Sequence, residues 1–204
     1  MTKVRTFPLE WESKKQIHYY PSEPTEYTGD ILEIGPGRGD LLLWYAENFR
    51  EKKVVGIELD GYRYKKLARR AEKRGLTNVL LMKANARIAV PRFFSAPTFE
   101  RIYVLFPDPW PKERHAFHRL LSVEYLSILV AALKPGGEII VATDQKPYID
   151  WVIDNASHLA SLENLGNPYS PDAALLPNGQ PTWFEQKWRD EGRAIYYLRL
   201  KRRR

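Results

Sequence analysis

The segment Glu33-Ile34-Gly35-Pro36-Gly37-Arg38-Gly39-Asp40 sets three glycines at alternate positions between two carboxylates. It follows a β-branched run and opens an amphipathic one, the setting in which glycines let a backbone turn tightly and approach a ligand. In a dinucleotide site a third glycine would stand at position 40, with a pyrophosphate resting on the helix N-terminus. Asp40 stands there instead. Two carboxylates at the turn, Glu33 and Asp40, repel a phosphate and attract an ammonium or sulfonium. S-adenosylmethionine carries both cations and no phosphate, so the pattern favours it as the cofactor, held at Glu33, Gly35, Gly37 and Gly39. Glu58, nineteen residues after Gly39, ends the next β-branched run. A carboxylate at that position accepts hydrogen bonds from both ribose hydroxyls, in NAD as much as in S-adenosylmethionine. Asn85 follows a third run, where its amide can accept from an adenine amino group or simply cap a turn.

The elements that must position these groups are legible from periodicity. Between residues 30 and 143, short β-branched runs alternate with longer amphipathic ones, as in β-α-β-α units around a parallel sheet. Strands are expected over 31–34, 54–59, 79–82, 101–106, 138–142 and, last, 194–200; helices are expected near 40–49, 61–74, 119–133 and 147–159. The 204 residues, 44% hydrophobic, suffice for one domain with a full core. Within it the chain divides into an N-terminal arm over 1–28, a cofactor-binding core over 30–160, a proline-rich substrate loop over 167–185, the final strand, and a basic tail over 201–204.

Composition excludes other classes. Cysteine is absent, which rules out disulfide frameworks and thiol nucleophiles and fits a reducing, cytoplasmic compartment. No apolar run reaches the length of a membrane span, and 1–16 has no signal-peptide core. His115 and His118 have no third ligand nearby in sequence, so no metal is expected. The net charge of +7 points to an acidic partner, with nucleic acid the commonest. Seven basic residues fall within 63–74 and five within the last six positions.

Phe106-Pro107-Asp108-Pro109-Trp110-Pro111-Lys112 follows the fourth strand, and its three prolines stiffen a loop over the carboxyl ends of the strands, where open α/β sheets bind ligands. At this loop the chain resembles the bacterial tRNA (guanine-N7)-methyltransferase family. The resemblance extends through the glycine segment, Gly56-Ile57-Glu58, Arg114-His115, Leu133-Lys134-Pro135-Gly136-Gly137, Ala142-Thr143-Asp144 and Thr182-Trp183-Phe184-Glu185. It implies a Rossmann-like class I methyltransferase fold with a mostly parallel seven-stranded sheet, helices on both faces and the last strand antiparallel. By position, Glu33, Glu58, Asn85 and Asp108 resemble the family's cofactor contacts. Lys112, Asp144, Thr182, Trp183, Phe184 and Glu185 resemble its tRNA-guanine site. The chain departs from the family after Arg114-His115, where Ala116, Phe117 and His118 replace further basic residues.

The chemistry so implied is undemanding of bases. Guanine nitrogen 7 is a free lone pair at neutral pH, so it attacks a sulfonium methyl without losing a proton. Placement and tolerance of positive charge are the requirements. Asp108 is the expected catalytic residue, orienting cofactor and base. Asp144 or Glu185 is expected to accept from the guanine ring NH and exocyclic amine, and Trp110 and Trp183 offer surfaces for a splayed base. The expected partner is tRNA, bound by a monomer or homodimer, without membrane or metal. Two other readings fit parts of the sequence. Asp108-Pro109-Trp110 is similar to the Asp-Pro-Pro-aromatic loop of adenine and glutamine-amide methyltransferases, although tryptophan replaces the second proline. A non-catalytic RNA-binding subunit with the same fold is the other, and the intact glycine segment and Glu58 weigh against it.

Overall fold

The computed structural model describes residues 5–7, 11–13 and 16–18 as backbone, and 27–166, 179 and 181–204 with their side chains. In chain order the strands are β1 (Arg5–Phe7), β2 (Trp11–Ser13), β3 (Gln16–His18), β4 (Ile31–Ile34), β5 (Val54–Glu58), β6 (Val79–Lys83), β7 (Phe99–Leu105), β8 (Leu133–Thr143), β9 (Leu162–Asn164) and β10 (Tyr196–Arg202). Seven of them lie in the order β6-β5-β4-β7-β8-β10-β9, and β1 adds a short parallel edge beside β6. Only β10 runs against its neighbours, pairing antiparallel with β8 and β9. β2 and β3 form a separate antiparallel pair. The Rossmann-like, mostly parallel sheet expected from the periodicity is therefore the architecture, with the last strand antiparallel.

Alternation along β4 shows how the sheet divides its two faces. Leu32 and Ile34 enter one core cluster, with residues of α3 (Ala86–Phe93), α4 (Val123–Ala132) and α5 (Lys146–Ser157). Ile31 enters the other, with α1 (Asp40–Asn48) and α2 (Gly61–Lys73), against which Trp188 of α6 (Trp183–Asp190) also packs. Period-2 alternation puts Glu33 on the α1 face with Ile31. Because β4 lies between β5 and β7, the winding direction reverses there. The crevice at the carboxyl ends of β4 and β7 is the switch point at which such sheets bind ligands. No helix among the described residues is long and apolar enough to cross a membrane.

Several expectations need correction. The helix placed over 119–133 starts only at Val123, where the Ser122 hydroxyl accepts from the Tyr125 N–H, and the preceding Glu113–His118 is a 3₁₀ helix. Of the substrate loop over 167–185, residues 167–178 and 180 lie outside the described residues, and the last three residues are helical and not loop. Thr182 caps α6, its side chain accepting from the Glu185 N–H, so 183–185 form the helix's first turn. The basic tail is also partly structured: Lys201 and Arg202 continue β10, and Arg202 donates to the carbonyls of Val130, at 2.9 Å, and Leu133. Those are backbone acceptors at the end of α4 that a solvated arginine would leave unpaired.

Candidate functional site

The glycine segment leaves β4 and enters α1 through three left-handed residues, Gly35, Gly37 and Gly39, with φ of 70°, 54° and 75°. Gly39 is the helix N-cap, and a Cβ there would meet Leu67 Cδ1 at 2.1 Å. Around Gly35 a Cβ would meet nothing within 4 Å, so the outer side of the turn is open to a ligand.

Glu33 sits beneath this turn, 4% exposed, with one carboxylate oxygen, Oε2, lacking any hydrogen-bond partner. Burial pushes its pKa up to about 8; the Leu42 backbone N–H opposes the rise, and the nearby charges of Asp40 and Glu58 add to it. An unpartnered carboxylate oxygen under an open glycine turn fits a cationic ligand such as the ammonium of S-adenosylmethionine.

Asp40, expected to share this role, is otherwise engaged. Arg70 approaches its Oδ1 at 3.4 Å and the Trp183 N–H donates to its Oδ2 at 3.2 Å. Its negative charge is thus largely compensated, and its structural work is to tie the glycine segment to the start of α6. Of the two carboxylates, Glu33 is the one with an unpartnered oxygen.

Glu58 ends β5 with both oxygens occupied by backbone donors, Oε2 by Gly37 N–H and Oε1 by Asp60 N–H, each at 2.9 Å. A carboxylate has about four acceptor sites, so these contacts leave capacity for ribose hydroxyls. Glu58 therefore braces the glycine turn and keeps acceptor capacity beside it. Glu58→Ala is expected to cost about 1.5–3 kcal/mol of stability for each charge-assisted bond lost and to weaken S-adenosylmethionine binding. Urea denaturation and calorimetric titration measure the two effects, and an unchanged dissociation constant would refute the cofactor role. Asn85 caps α3, its side-chain oxygen accepting from Arg87 N–H at 3.0 Å, which is the turn-capping option of the two that sequence left open.

Asp108 is exposed on the loop after β7. Phe106 and Trp110, on either side of it, adopt φ of 50° and 42°, values that non-glycine residues rarely take and that hold the loop in one shape. Lys112 is exposed and precedes the 3₁₀ helix. Asp144, at the end of β8, accepts from Gln145 at 2.7 Å and from Arg193 at 2.8 Å. Glu185 is fully buried: its Oε1 accepts from Arg189 at 2.9 Å and from the Tyr197 hydroxyl, while Oε2 has no partner. Trp183 is about half exposed, with the Arg38 guanidinium 4.6 Å over its ring, and Phe184 packs against Phe106 at 5.4 Å.

Sequence reasoning missed the cations that meet these carboxylates. Arg193 lies forty-nine positions from Asp144 and also stacks 3.6 Å over Trp188. Arg189 stands one turn from Glu185, a spacing that could have been read once residues 183–190 were recognised as a helix. Among the described residues, no group of three or more His, Cys, Asp or Glu side chains is placed to hold a metal.

Comparison with known proteins adds an independent line. A family model described as "Putative methyltransferase" matches residues 28–198. The chain is 34% identical over 190 residues to the tRNA (guanine-N(7)-)-methyltransferase of Deinococcus radiodurans, covering 89% of this chain and 56% of that protein. It is 33% identical over 174 residues to the protein of the same name from Chlorobium phaeobacteroides, covering 85% of this chain and 81% of that one. The corresponding Nitrosomonas eutropha protein is 35% identical over 165 residues, with 81% and 72% covered. Among solved structures, the 16S rRNA methyltransferase KamB superposes with a TM-score of 0.62 at 18% identity over the whole of both chains, a likeness of fold.

Proposed function

The chain belongs to the tRNA (guanine-N7)-methyltransferase family, and on that premise we propose that it methylates N7 of a guanosine in tRNA, using S-adenosylmethionine. The observation that carries the reading is Glu33: a buried carboxylate with a free oxygen beneath an open glycine turn suits a cationic cofactor and opposes a phosphate. S-adenosylmethionine supplies an electrophilic methyl on a sulfonium.

The residues of this chain do the rest by placement. Glu33 and the turn at Gly35, Gly37 and Gly39 receive the amino-acid end, Glu58 the ribose and the segment at Asn85 the adenine. Asp108, on its stiff loop beside the crevice, orients the base against the methyl. No residue need remove a proton, because N7 attacks as a neutral lone pair. Asp144 borders the guanine edge with Arg193 already attached, so recognition there involves Arg193 as well as the carboxylate, while Glu185, buried against Arg189 and Tyr197, braces α6 behind it. Lys112 contacts phosphate, and Thr182 and Phe184 set the first turn of α6, from which Trp183 faces the RNA.

The decisive experiment separates ring from amino methylation. Unmodified tRNA incubated with labelled methyl donor should yield 7-methylguanosine. A transcript carrying 7-deazaguanosine at the modified position should bind about as well, because its ring NH and exocyclic amine are unchanged, and should accept no methyl. Methyl transfer to the 7-deaza transcript at the same nucleotide would refute the proposal.

A further inference from the structure

The segment that follows the Asp108 loop carries a column of rings. His118 lies against Trp110 with ring centroids 4.7 Å apart, His115 meets the same indole edge-on at 5.8 Å, and Phe117 lies on His118 at 3.9 Å. Trp110 keeps about a third of its surface exposed but has one face against His118 and an edge against His115, and the more open ring is Phe117. It is 71% exposed, the most of any large hydrophobic residue among those described.

An exposed ring in a loose loop would mean little. This one is held from beneath. Arg87 donates to the carbonyls of Phe117, at 3.5 Å, and Arg119; Arg119 in turn donates to the Trp110 carbonyl at 3.3 Å and to Glu113 at 3.1 Å. Trp110, at φ 42°, is set by these contacts and not by local backbone preference.

The charges around the column select its ligand. Lys112 and Arg114 are exposed, and neither makes an ion pair or hydrogen bond through its side chain. Glu113, the sole carboxylate between positions 112 and 118, is held by Arg119. Flat π surface beside uncompensated cations is the combination that binds a nucleotide, base on ring and phosphate on cation. An apolar peptide would have no use for the cations.

We infer that Phe117, backed by His118 and Trp110, is a stacking platform for a nucleobase adjacent to the guanosine being methylated, with Lys112 and Arg114 on the flanking phosphates. The inference rests on the tRNA reading above. Trp110 stands two residues from Asp108, and Phe117 lies beyond it across His118, so the base it receives is a neighbour of the target and not the target itself. Stacking of this kind is tolerant of base identity and keeps the strand splayed while the guanine is presented.

The test measures binding of an unmodified tRNA transcript to the full-length protein by fluorescence anisotropy, for wild type, Phe117→Ala, Phe117→Leu and Phe117→Tyr. Phe117→Ala should weaken tRNA binding about 5- to 150-fold, the range for losing one base–aromatic stack. Phe117→Leu should lose nearly as much, and Phe117→Tyr should stay within about 3-fold of wild type. Melting temperature and S-adenosylmethionine affinity should be unchanged in all three, because the ring is exposed. Wild-type affinity in Phe117→Ala overturns the platform, and so does equal rescue by Leu and Tyr, which would show a merely apolar contact. Methyl transfer to N7 by the wild type is assayed separately. If it is present and Phe117→Ala binds normally, the platform fails alone; if the wild type neither binds nor methylates tRNA, both readings fail.

Discussion

Replacing Glu33 by glutamine is expected to stabilise the protein above pH 8 and to weaken its hold on S-adenosylmethionine. The carboxyl has a pKa of about 8 when folded, against 4.5 as a free side chain. The folded state therefore binds this proton more tightly than the unfolded one, and stability falls as pH rises from about 4.5 to 8 and then levels off. At 1.36 kcal/mol per unit the full penalty is on the order of 5 kcal/mol. Glutamine is neutral throughout, so Glu33→Gln and wild type should be about equally stable near pH 4.5 and diverge in favour of the variant up to pH 8 or 9. Urea denaturation at a series of pH values reads this directly. Binding should move the other way: the ionised carboxylate is the proposed partner of the cofactor's ammonium, and its loss should cost about 10- to 150-fold in affinity, the equivalent of one charge-assisted contact. Below pH 8 the wild type should also release a proton on binding, detected by calorimetry in buffers of different ionisation enthalpy. A variant that binds S-adenosylmethionine as tightly as wild type, or that gains no stability at pH 9, would remove Glu33 from the site.

Gly39→Ala should be strongly destabilising, since a Cβ there makes the tightest contact among the described glycines. Position 39 is left-handed at φ 75°, which costs a side chain about 1–2 kcal/mol. The added Cβ would also lie 2.1 Å from Leu67 Cδ1, on a side chain with no solvent exposure and so little room to yield. Overpacking of that kind costs about 1–3 kcal/mol more. The total, about 2–5 kcal/mol, should lower the melting temperature by roughly 5–20 °C in a chain of this size. Loss of cofactor binding should accompany it, since the turn that would move is the one over Glu33. Adding Leu67→Ala relieves the clash and leaves the backbone strain, so the double variant should recover part of the deficit in excess of its own cavity cost. A melting temperature for Gly39→Ala within 2 °C of wild type would show that the loop is not held as described.

The arrangement around Glu33 also shows where sequence reading reached its limit. β4 was legible to the residue, because four consecutive apolar or buried positions followed by a glycine turn have few alternative explanations. α3 was not legible: Pro91 interrupts its apolar pattern, and the helix is held by the Asn85 cap and by packing of Ala89, Val90 and Phe93 into the core. α6 was hidden for a related reason. It is short and strongly charged, and its N-cap at Thr182 was absorbed into the neighbouring proline-rich stretch.

Hydrophobic periodicity and glycine spacing are local properties written along the chain, so β4, β5 and the turn between Glu33 and Asp40 could be read from the residues alone, whereas the site roles of Asp108, Lys112, Asp144 and 182–185 entered only through the family resemblance. Which of those residues has a free hand depends on contacts made only in the folded chain. Asp40 and Glu33 are equivalent in sequence, but Asp40 meets Arg70 and the Trp183 N–H while Glu33 keeps an unpartnered oxygen. Asp144 meets Arg193, and Trp110 has one face against His118 and an edge against His115, which leaves Phe117 the more open ring. Charge compensation and ring packing depend on distances between segments remote in the chain, and these exist only once the sheet has brought its carboxyl edges together.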